Sequence, residues 1–362
     1  MIQRRSLGFA TVAIAAAGAT TALCFSDAFG LARGPTISAG ILDAAPSGAP
    51  SRPLDSLRDA TPWLSPVPGG PQSLRGKVVV VNFWTYSCIN SLRALPYLRA
   101  WHERYGQKGL EVIGVHAPEF GFEKDPEKVR LASGQLQVRY PNLQDNDYAA
   151  WRDFANQGWP GFYFIDARGK LRGYRLGEGK YDEAEQLIRK LLTEAGHDVS
   201  GIPLAPVAGT GIEAEADWRN LRSPEAYLGY AKATDFASPG GLRRDMPYSY
   251  VSAANLSLGQ WDLAGSWTAG PEFATLAAGV GTIRFRFHAR DAHLVLGGAA
   301  GGAPIRFRVT IDGHAPGPSH GDDVDAAGWG EIREDRLYPL VRQPGEIADG
   351  TVTVEFSRPG AR

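Results

Sequence analysis

An uninterrupted apolar run, VVVVNFW, spans residues 78–84 and has no alternation of apolar and polar side chains. Such a run is typical of a strand buried on both faces of a sheet, as in sheets covered by helices on both sides. A second run of this kind, LEVIGVHA, starts at Leu110. Between the two runs, apolar residues at three- and four-residue spacing predict an amphipathic helix: Leu92, Leu95, Leu98, Trp101 and Tyr105.

The next segments extend this α/β pattern. The polar stretch 120–159 is expected to hold one or two helices, and GFYFIDARGKLRGYRL predicts a hairpin that turns at Arg168 and Gly169. An apolar stripe over 184–195 predicts a final helix that Gly196 closes. We therefore expect a mixed sheet with helices on both faces over residues 71–196.

The C-terminal part changes period. Residues 283–288, 305–311 and 351–356 alternate apolar with charged or threonine side chains, and turns rich in Gly and Pro separate them. This pattern predicts an all-β antiparallel sandwich, jelly-roll-like, over 217–362. A linker is expected over 197–216, and a Pro/Gly-rich arm over 31–70.

The first 30 residues have the composition of an export signal. Arg4 and Arg5 precede a weakly apolar Ala/Thr/Gly stretch and small residues at a plausible cleavage site, and QRRSLG resembles a twin-arginine signal. We predict a signal peptide over 1–30 and a periplasmic or otherwise extracytoplasmic location. Cleavage there would remove Cys24 and leave Cys88 as the sole cysteine, in a compartment where disulfides form.

Composition argues against several function classes. Lys plus Arg (38) nearly balance Asp plus Glu (39), which does not fit a nucleic-acid-binding protein. The seven histidines show no paired ligand spacing, and no Gly-rich phosphate loop follows a strand. Neither a metal site nor a cofactor is expected.

Cys88 follows the first buried strand and precedes the predicted helix, in the stretch WTYSCINS. The free N–H groups and the dipole of a helix N-terminus favour a thiolate, and thiol pKa values in such settings fall to about 3.5–7.5. The position predicts an activated, nucleophilic sulfur.

With Cys88 placed, the stretch VVVVNFWTYSCINSLRALP resembles the thioredoxin superfamily. FWTYSCINSLRALPYLRAW, GVHAPEFGFEKD, QDNDYAAWRDFANQGWP and FIDARGKLRGYRLGEG are similar to DipZ-type exported redox proteins, relatives of the cytochrome c biogenesis thioredoxins. RSPEAYLGYA and HGDDVDAAGWG resemble their C-terminal domain, a sandwich like a carbohydrate-binding module. The resemblance implies an α/β thioredoxin-like fold followed by the sandwich.

The same resemblance assigns roles to particular residues. Cys88 would be the nucleophile, Pro160 a cis-proline that presents substrate backbone, and Glu119 a proton shuttle. Trp84, Tyr86 and Trp159 would shape the substrate-binding face. His116 is expected to end its strand rather than act as a base. The implied partners are protein disulfides and thiols, with a membrane electron-transfer protein as candidate reductant and a glycan as candidate ligand of the sandwich.

Ser91 is the departure from the dithiol pattern, because it stands where the resolving cysteine would be. Attack by Cys88 survives this change, whereas self-resolution of a mixed disulfide does not. Ser91 is either natural and functional, natural and degenerate, or introduced to trap partners.

Two other functions remain open. Thr85 and Cys88 have the threonine–cysteine spacing of peroxiredoxins, so a one-cysteine peroxide reductase with antioxidant activity is one alternative. The other is a redox-inactive binding protein, in which aromatic residues of the sandwich stack on sugar rings: Trp218, Tyr227, Tyr230, Trp261 and Trp267.

Overall fold

The computed structural model describes strand Ala22–Leu23, helix Pro53–Asp59 and residues 62–204, 206–298 and 302–362. The predicted signal peptide, 1–30, lies outside the described residues except for that two-residue strand, as does most of the predicted arm, 31–70. Every helix among the described residues is too short or too polar to span a membrane.

Residues 53–204 form a six-stranded mixed sheet with helices. Its strand order is β2-β5-β4-β3-β6-β7, where β3 lies parallel to β4 and antiparallel to β6. The strands are β2 Trp63–Ser65, β3 Val78–Trp84, β4 Leu110–His116, β5 Asn142–Gln144, β6 Gly161–Ile165 and β7 Leu171–Leu176; Ala22–Leu23 is β1. The helices are α1 Pro53–Asp59, α2 Ile89–Tyr105, α3 Pro126–Gln135, α4 Ala149–Asp153 and α5 Tyr181–Glu194.

The predicted elements of this half are present. All seven residues of β3 and of β4 are buried, because both faces of each strand carry mainly apolar side chains that pack into the core. The β6–β7 hairpin turns through Gly169, whose φ of 81° is readily adopted by glycine. The thioredoxin-like fold class is confirmed.

Two parts of this half differ from the sequence prediction. The end of the predicted arm contains α1 and β2, and Leu57 and Val67 are buried in the core beside Val79 and Phe83. Apolar residues one turn apart on a short helix cover the sheet here, so 53–70 is not an irregular arm. Strand β5 was missed because its sequence, NLQ, is mostly polar although all three residues are buried.

The C-terminal half is built of antiparallel sheets, as predicted. Six strands lie in the order β14-β13-β16-β11-β10-β9, β12 pairs with β15, and β8 pairs with β1. A single core packs Trp261 and Phe285 of the large sheet with Leu294 and Tyr338 of the small one. The strands are β8 Ala226–Tyr227, β9 Pro247–Tyr250, β10 Trp261–Ala269, β11 Ala274–Phe287, β12 Asp291–Leu296, β13 Ile305–Ile311, β14 Trp329–Ile332, β15 Arg336–Arg342 and β16 Gly350–Phe356.

The two halves share a buried interface with charged groups at its centre. Arg93, in α2, is 1% exposed and lies 3.4 Å from a carboxylate oxygen of Glu178 and 3.4 Å from one of Asp291. Asp291 also accepts hydrogen bonds from Arg290 and Arg342. Burial would raise the pKa of Asp291, but the hydrogen bonds from these arginines outweigh it and hold the pKa at about 2. A carboxylate therefore stands opposite the buried guanidinium.

Further contacts surround this pair. Val295 and Leu337, from β12 and β15, pack into the core of the thioredoxin-like half. Lys128 of α3 pairs with Asp335 at 2.7 Å, and Arg99 of α2 pairs with Glu213 at 2.6 Å. Glu213 belongs to the predicted linker, 197–216, which thus lies against α2.

Replacing Asp291 with alanine is expected to lower the free energy of unfolding by about 3–5 kcal/mol, because Arg93 would lose one of its two carboxylates while buried. Urea denaturation measures this. Glu331→Ala is the matched control, since Glu331 pairs with Arg333 where both side chains contact solvent, and it should cost less than about 1 kcal/mol. Equal effects of the two variants would contradict a central role for the buried pair.

Candidate redox site

Cys88 is the N-cap residue of α2, one short turn after β3 ends. Its N–H donates to the carbonyl of Thr85 at 3.5 Å, and its own carbonyl accepts the N–H of Leu92 at 3.0 Å. Ser91 lies in the first turn of α2 and is fully buried, with its hydroxyl oxygen 3.4 Å from the N–H of Thr85. The sulfur thus occupies the strand-to-helix junction that the sequence predicts.

The thiol is far less accessible and less acidic than the sequence predicts. Cys88 is only 6% exposed, and it is the free cysteine of the described residues. Burial raises the pKa of the thiol well above its usual value, the charges of Glu119 and Glu225 raise it further, and hydrogen bonds from Ser91 only partly offset them. The prediction of a lowered thiol pKa is therefore wrong for this arrangement, because loss of water outweighs the helix N-terminus.

Pro160 lies at the same edge of the sheet as Cys88. Phe83, near the end of β3, pairs with Gly161 at the start of β6, and the Trp159–Pro160 peptide bond is cis. Trp159 donates its indole N–H to the carbonyl of Ala117 at 3.0 Å, and it remains partly exposed. The cis bond expected of Pro160 is present, and the substrate-binding roles of Pro160 and Trp159 stay predictions.

Trp84 and Tyr86 are less accessible than expected. Trp84 is fully buried and donates its indole N–H to Asn142 at 3.1 Å, so it does not contact a substrate directly in this arrangement, and its role in shaping the substrate-binding face stays a prediction. Tyr86 is 6% exposed, and its ring stacks on His116 with 5.6 Å between centroids. Its hydroxyl has no hydrogen-bond partner among the described residues, and its side chain borders a cavity of about 600 Å³ between the two halves.

His116 ends β4, as predicted, and is fully buried between Trp84 and Tyr86. Burial lowers its pKa to about 3, so the imidazole is neutral at ordinary pH. Its Nε2 atom lies 3.4 Å from the hydroxyl of Thr85.

Glu119 follows β4 at this edge and is 5% exposed. Burial raises the pKa of its carboxyl group, while Lys232 and a hydrogen bond with Tyr227 act in the opposite direction. The hydroxyl of Tyr227 lies 3.1 Å from Glu119 and also 3.1 Å from Glu225. The predicted proton shuttle therefore lies near the thiol and contacts the C-terminal half.

Sequence reasoning missed Glu123, a fully buried residue in the 3₁₀ turn Gly121–Lys124. One carboxylate oxygen accepts the hydroxyls of Thr85 and Ser87 and the N–H of Ser87. The other accepts the N–H groups of Glu119, at 2.6 Å, and Phe120, at 2.9 Å. Glu123 thereby ties the loop before Cys88 to the loop that carries Glu119.

The sequence feature that could have identified Glu123 is its position three residues after Phe120, the N-cap residue of the turn. At this spacing an acidic side chain can accept the backbone N–H of the N-cap residue. Burial raises the pKa of Glu123 to about 7, although the hydrogen bonds from Ser87 and Thr85 lower it. Its charge is therefore sensitive to pH in the neutral range.

Glu123→Ala is expected to lower the free energy of unfolding by about 3 kcal/mol at pH 8, because three buried N–H groups would lose their acceptor. Urea denaturation gives the value. Glu127→Ala is the control, since Glu127 is exposed and pairs with Arg130 one turn away on the same helix, so we expect less than about 0.5 kcal/mol. An unchanged midpoint in Glu123→Ala would show that the two loops do not depend on this carboxylate.

Comparison with known proteins agrees with this geometry. Residues 71–174 match the AhpC/TSA family, and residues 223–362 match the family described as thioredoxin like C-terminal domain. Protein DipZ of Mycobacterium bovis is 36% identical over 245 residues, which cover 67% of this chain and 34% of DipZ. The chain thus spans about one third of the length of that relative.

Thiol-disulfide oxidoreductase YkuV of Bacillus subtilis is 27% identical over 143 residues, covering 40% of this chain and 96% of YkuV. The solution structure of a thioredoxin-like protein in its oxidized form aligns with a TM-score of 0.34 and 28% identity, covering 38% of this chain and 90% of that one.

A mixed sheet with a cysteine at the start of α2 and a cis-proline before β6 defines a thioredoxin-like redox protein. With the family matches and the relatives above, the chain belongs to the thioredoxin superfamily as a DipZ-type protein. Two of its relatives are named thiol-disulfide oxidoreductases: YkuV, and ResA of Bacillus thuringiensis, which is 25% identical over 120 residues.

Proposed function

We propose that this protein is an exported thiol–disulfide oxidoreductase that acts through the single sulfur of Cys88. The observation that carries the proposal is the place of Cys88: it caps α2 at the sheet edge where Pro160 directly precedes β6. Ser91, one turn later, occupies the place of a second sulfur.

The chemistry follows from having one sulfur. The Cys88 thiolate attacks one sulfur of a substrate disulfide, so that a mixed disulfide forms and the other substrate sulfur leaves as a thiolate that takes up a proton. Because Ser91 cannot form a disulfide, resolution needs a second thiol. A substrate thiol that attacks from a new position isomerises the disulfide, whereas two small-thiol molecules supply the two electrons for net reduction.

The closed arrangement of Cys88 adds a requirement. A sulfur that is 6% exposed cannot reach a protein disulfide until the residues over it move, and Glu225 lies close enough for its charge to raise the thiol pKa. We expect the nearby segment that contains Glu225 and Tyr227 to be among the residues that move when a substrate binds.

Location and partners follow from the same proposal. The export signal predicted over 1–30 supports an extracytoplasmic site of action, where protein disulfides are the substrates. A membrane electron-transfer protein is the proposed reductant. A glycan is a weaker proposal, because Trp261 and Trp267 lie fully in the sandwich core and Tyr227 contacts Glu119.

The test uses the full chain with Cys24→Ala, so that Cys88 is the one thiol, and incubates it with glutathione disulfide. We expect a single glutathione adduct, measured by intact mass, that persists after the reagent is removed. Ser91→Cys in the same background should shorten the lifetime of the adduct by about a hundredfold or more, because an internal thiol attacks at high effective concentration.

Cys88→Ala, also with Cys24→Ala, is the control and should give no adduct. If the native chain forms no adduct, although the same chain reacts in urea, the oxidoreductase proposal is wrong. The protein would then be a binding protein with a redox-type fold.

Peroxide reduction is the second candidate, since residues 71–174 match the AhpC/TSA family. Against it, the hydroxyl of Thr85, the residue that would bind peroxide, already donates to Glu123. Consumption of hydrogen peroxide by the purified chain with a small thiol, absent in Cys88→Ala, would favour the peroxide reductase.

A further inference from the structure

The C-terminal half contributes three side chains to the surroundings of Glu119. Tyr227, the last residue of β8, has its hydroxyl oxygen 3.1 Å from Oε1 of Glu119. Lys232 has its Nζ atom 3.9 Å from the same oxygen and 4.7 Å from the centroid of the Tyr227 ring. Glu225 lies 3.1 Å from the Tyr227 hydroxyl on its other side. A carboxyl group of one half thus meets a donor and a cation of the other.

This cluster determines the charge state of Glu119. Glu119 is 5% exposed, so the ionised form is costly unless donors and cations compensate for the lost water. Tyr227 and Lys232 are the groups that lower its pKa. Without them, the buried carboxyl group would favour the protonated form.

The charge of Glu119 in turn acts on the thiol. After burial, the Glu119 carboxylate is the largest cause of the raised pKa of Cys88. A neutral Glu119 would therefore make the thiol easier to ionise. The charged and titratable groups around Glu119 are Cys88, Glu123, Tyr148, Glu225, Tyr227 and Lys232.

We propose that the C-terminal half completes the redox site: Tyr227, supported by Lys232, is a positioning residue that holds the buried carboxyl group of Glu119, favours its charged form and thereby limits the reactivity of Cys88. The inference rests on the proposed function for its biological meaning, but it concerns a property of the thiol that can be measured separately. It also gives a chemical role to the contacts that Tyr227 and Lys232 of the C-terminal half make with Glu119.

The experiment measures the rate of Cys88 alkylation by iodoacetamide from pH 5 to 10 on the full chain with Cys24→Ala. Tyr227→Phe removes the hydroxyl and keeps the ring, and Lys232→Met removes the cation and keeps the stem. We expect each to raise the rate at pH 7 about three- to tenfold, because a protonated Glu119 no longer repels the thiolate.

Tyr230→Phe is the matched control. Tyr230 lies three residues further along the same segment, and its hydroxyl bonds to Asp245, away from Glu119. We expect its pH profile to coincide with that of the Cys24→Ala chain.

A double-variant comparison separates positioning from simple loosening of the segment. Glu119→Gln removes the charge through which Tyr227 is proposed to act, so adding Tyr227→Phe to it should not change the profile further. If Tyr227→Phe still accelerates alkylation in that background, it acts by uncovering Cys88 and the inference fails. The inference also fails if both single variants keep the parent profile, or if no protein of the set is alkylated below pH 10.

The two proposals fail in different ways. If Cys88 forms glutathione adducts but its alkylation profile does not change in the Tyr227 and Lys232 variants, the proposed oxidoreductase is supported and the positioning role of Tyr227 is wrong. If the alkylation profile of Cys88 depends on Tyr227 through Glu119 but Cys88 forms no adduct with a disulfide, the proposed oxidoreductase is wrong and the positioning role of Tyr227 is supported.

Discussion

The burial of Arg93 is the constraint on which the arrangement of the two halves depends. A guanidinium that is 1% exposed needs carboxylates, and here one comes from Glu178 of the thioredoxin-like half and the other from Asp291 of the sandwich. Arg93 is in α2, five residues after Cys88. The ion pair between Arg93 and Asp291, which joins the two halves, therefore also holds the helix that follows the thiol. Glu119, whose charge raises the pKa of the thiol, also contacts the sandwich through Tyr227.

The site itself is made by three loops at one edge of the sheet. The loop after β3 carries Thr85 to Ser87, the loop after β4 carries Glu119, and the residues before β6 carry Pro160. Glu123 joins the first two through hydrogen bonds to both, and Trp159 joins the third through the carbonyl of Ala117. The geometry of the nucleophile therefore depends on buried polar contacts as well as on the apolar core.

The sequence was sufficient to predict the elements that have a strong local pattern. Mainly apolar runs predicted β3 and β4, apolar periodicity predicted α2, and alternation predicted strands of the sandwich, whereas the cis bond at Pro160 was implied by the resemblance to thioredoxin-like proteins. Residues whose surroundings come from far along the chain could not be predicted this way. Asp291 meets Arg93 across 198 residues, and Tyr227 meets Glu119 across 108, with no periodicity to indicate either contact.

The thiol pKa was mispredicted for the same reason. A helix N-terminus is a local feature and can be read from the strand-to-helix junction, whereas the loss of water at Cys88 depends on how the whole fold packs around it. Glu225, which adds a second negative charge near the sulfur, is 137 residues away in sequence. The local sequence predicts a lowered thiol pKa, whereas burial in the folded protein raises the pKa instead.

Because Cys88 is buried, the molecules that can bind near it determine how fast it reacts. An open, acidic thiol reacts with any disulfide it meets, at a rate that its chemistry sets. A covered thiol reacts fastest with a molecule whose binding favours the uncovered form, and each 1.4 kcal/mol of such preference is worth a tenfold change in the exposed population. Surface complementarity to a client, more than sulfur chemistry, then decides which disulfides are attacked fastest, and a small disulfide such as glutathione disulfide reacts slowly, during the fraction of time that the thiol is exposed.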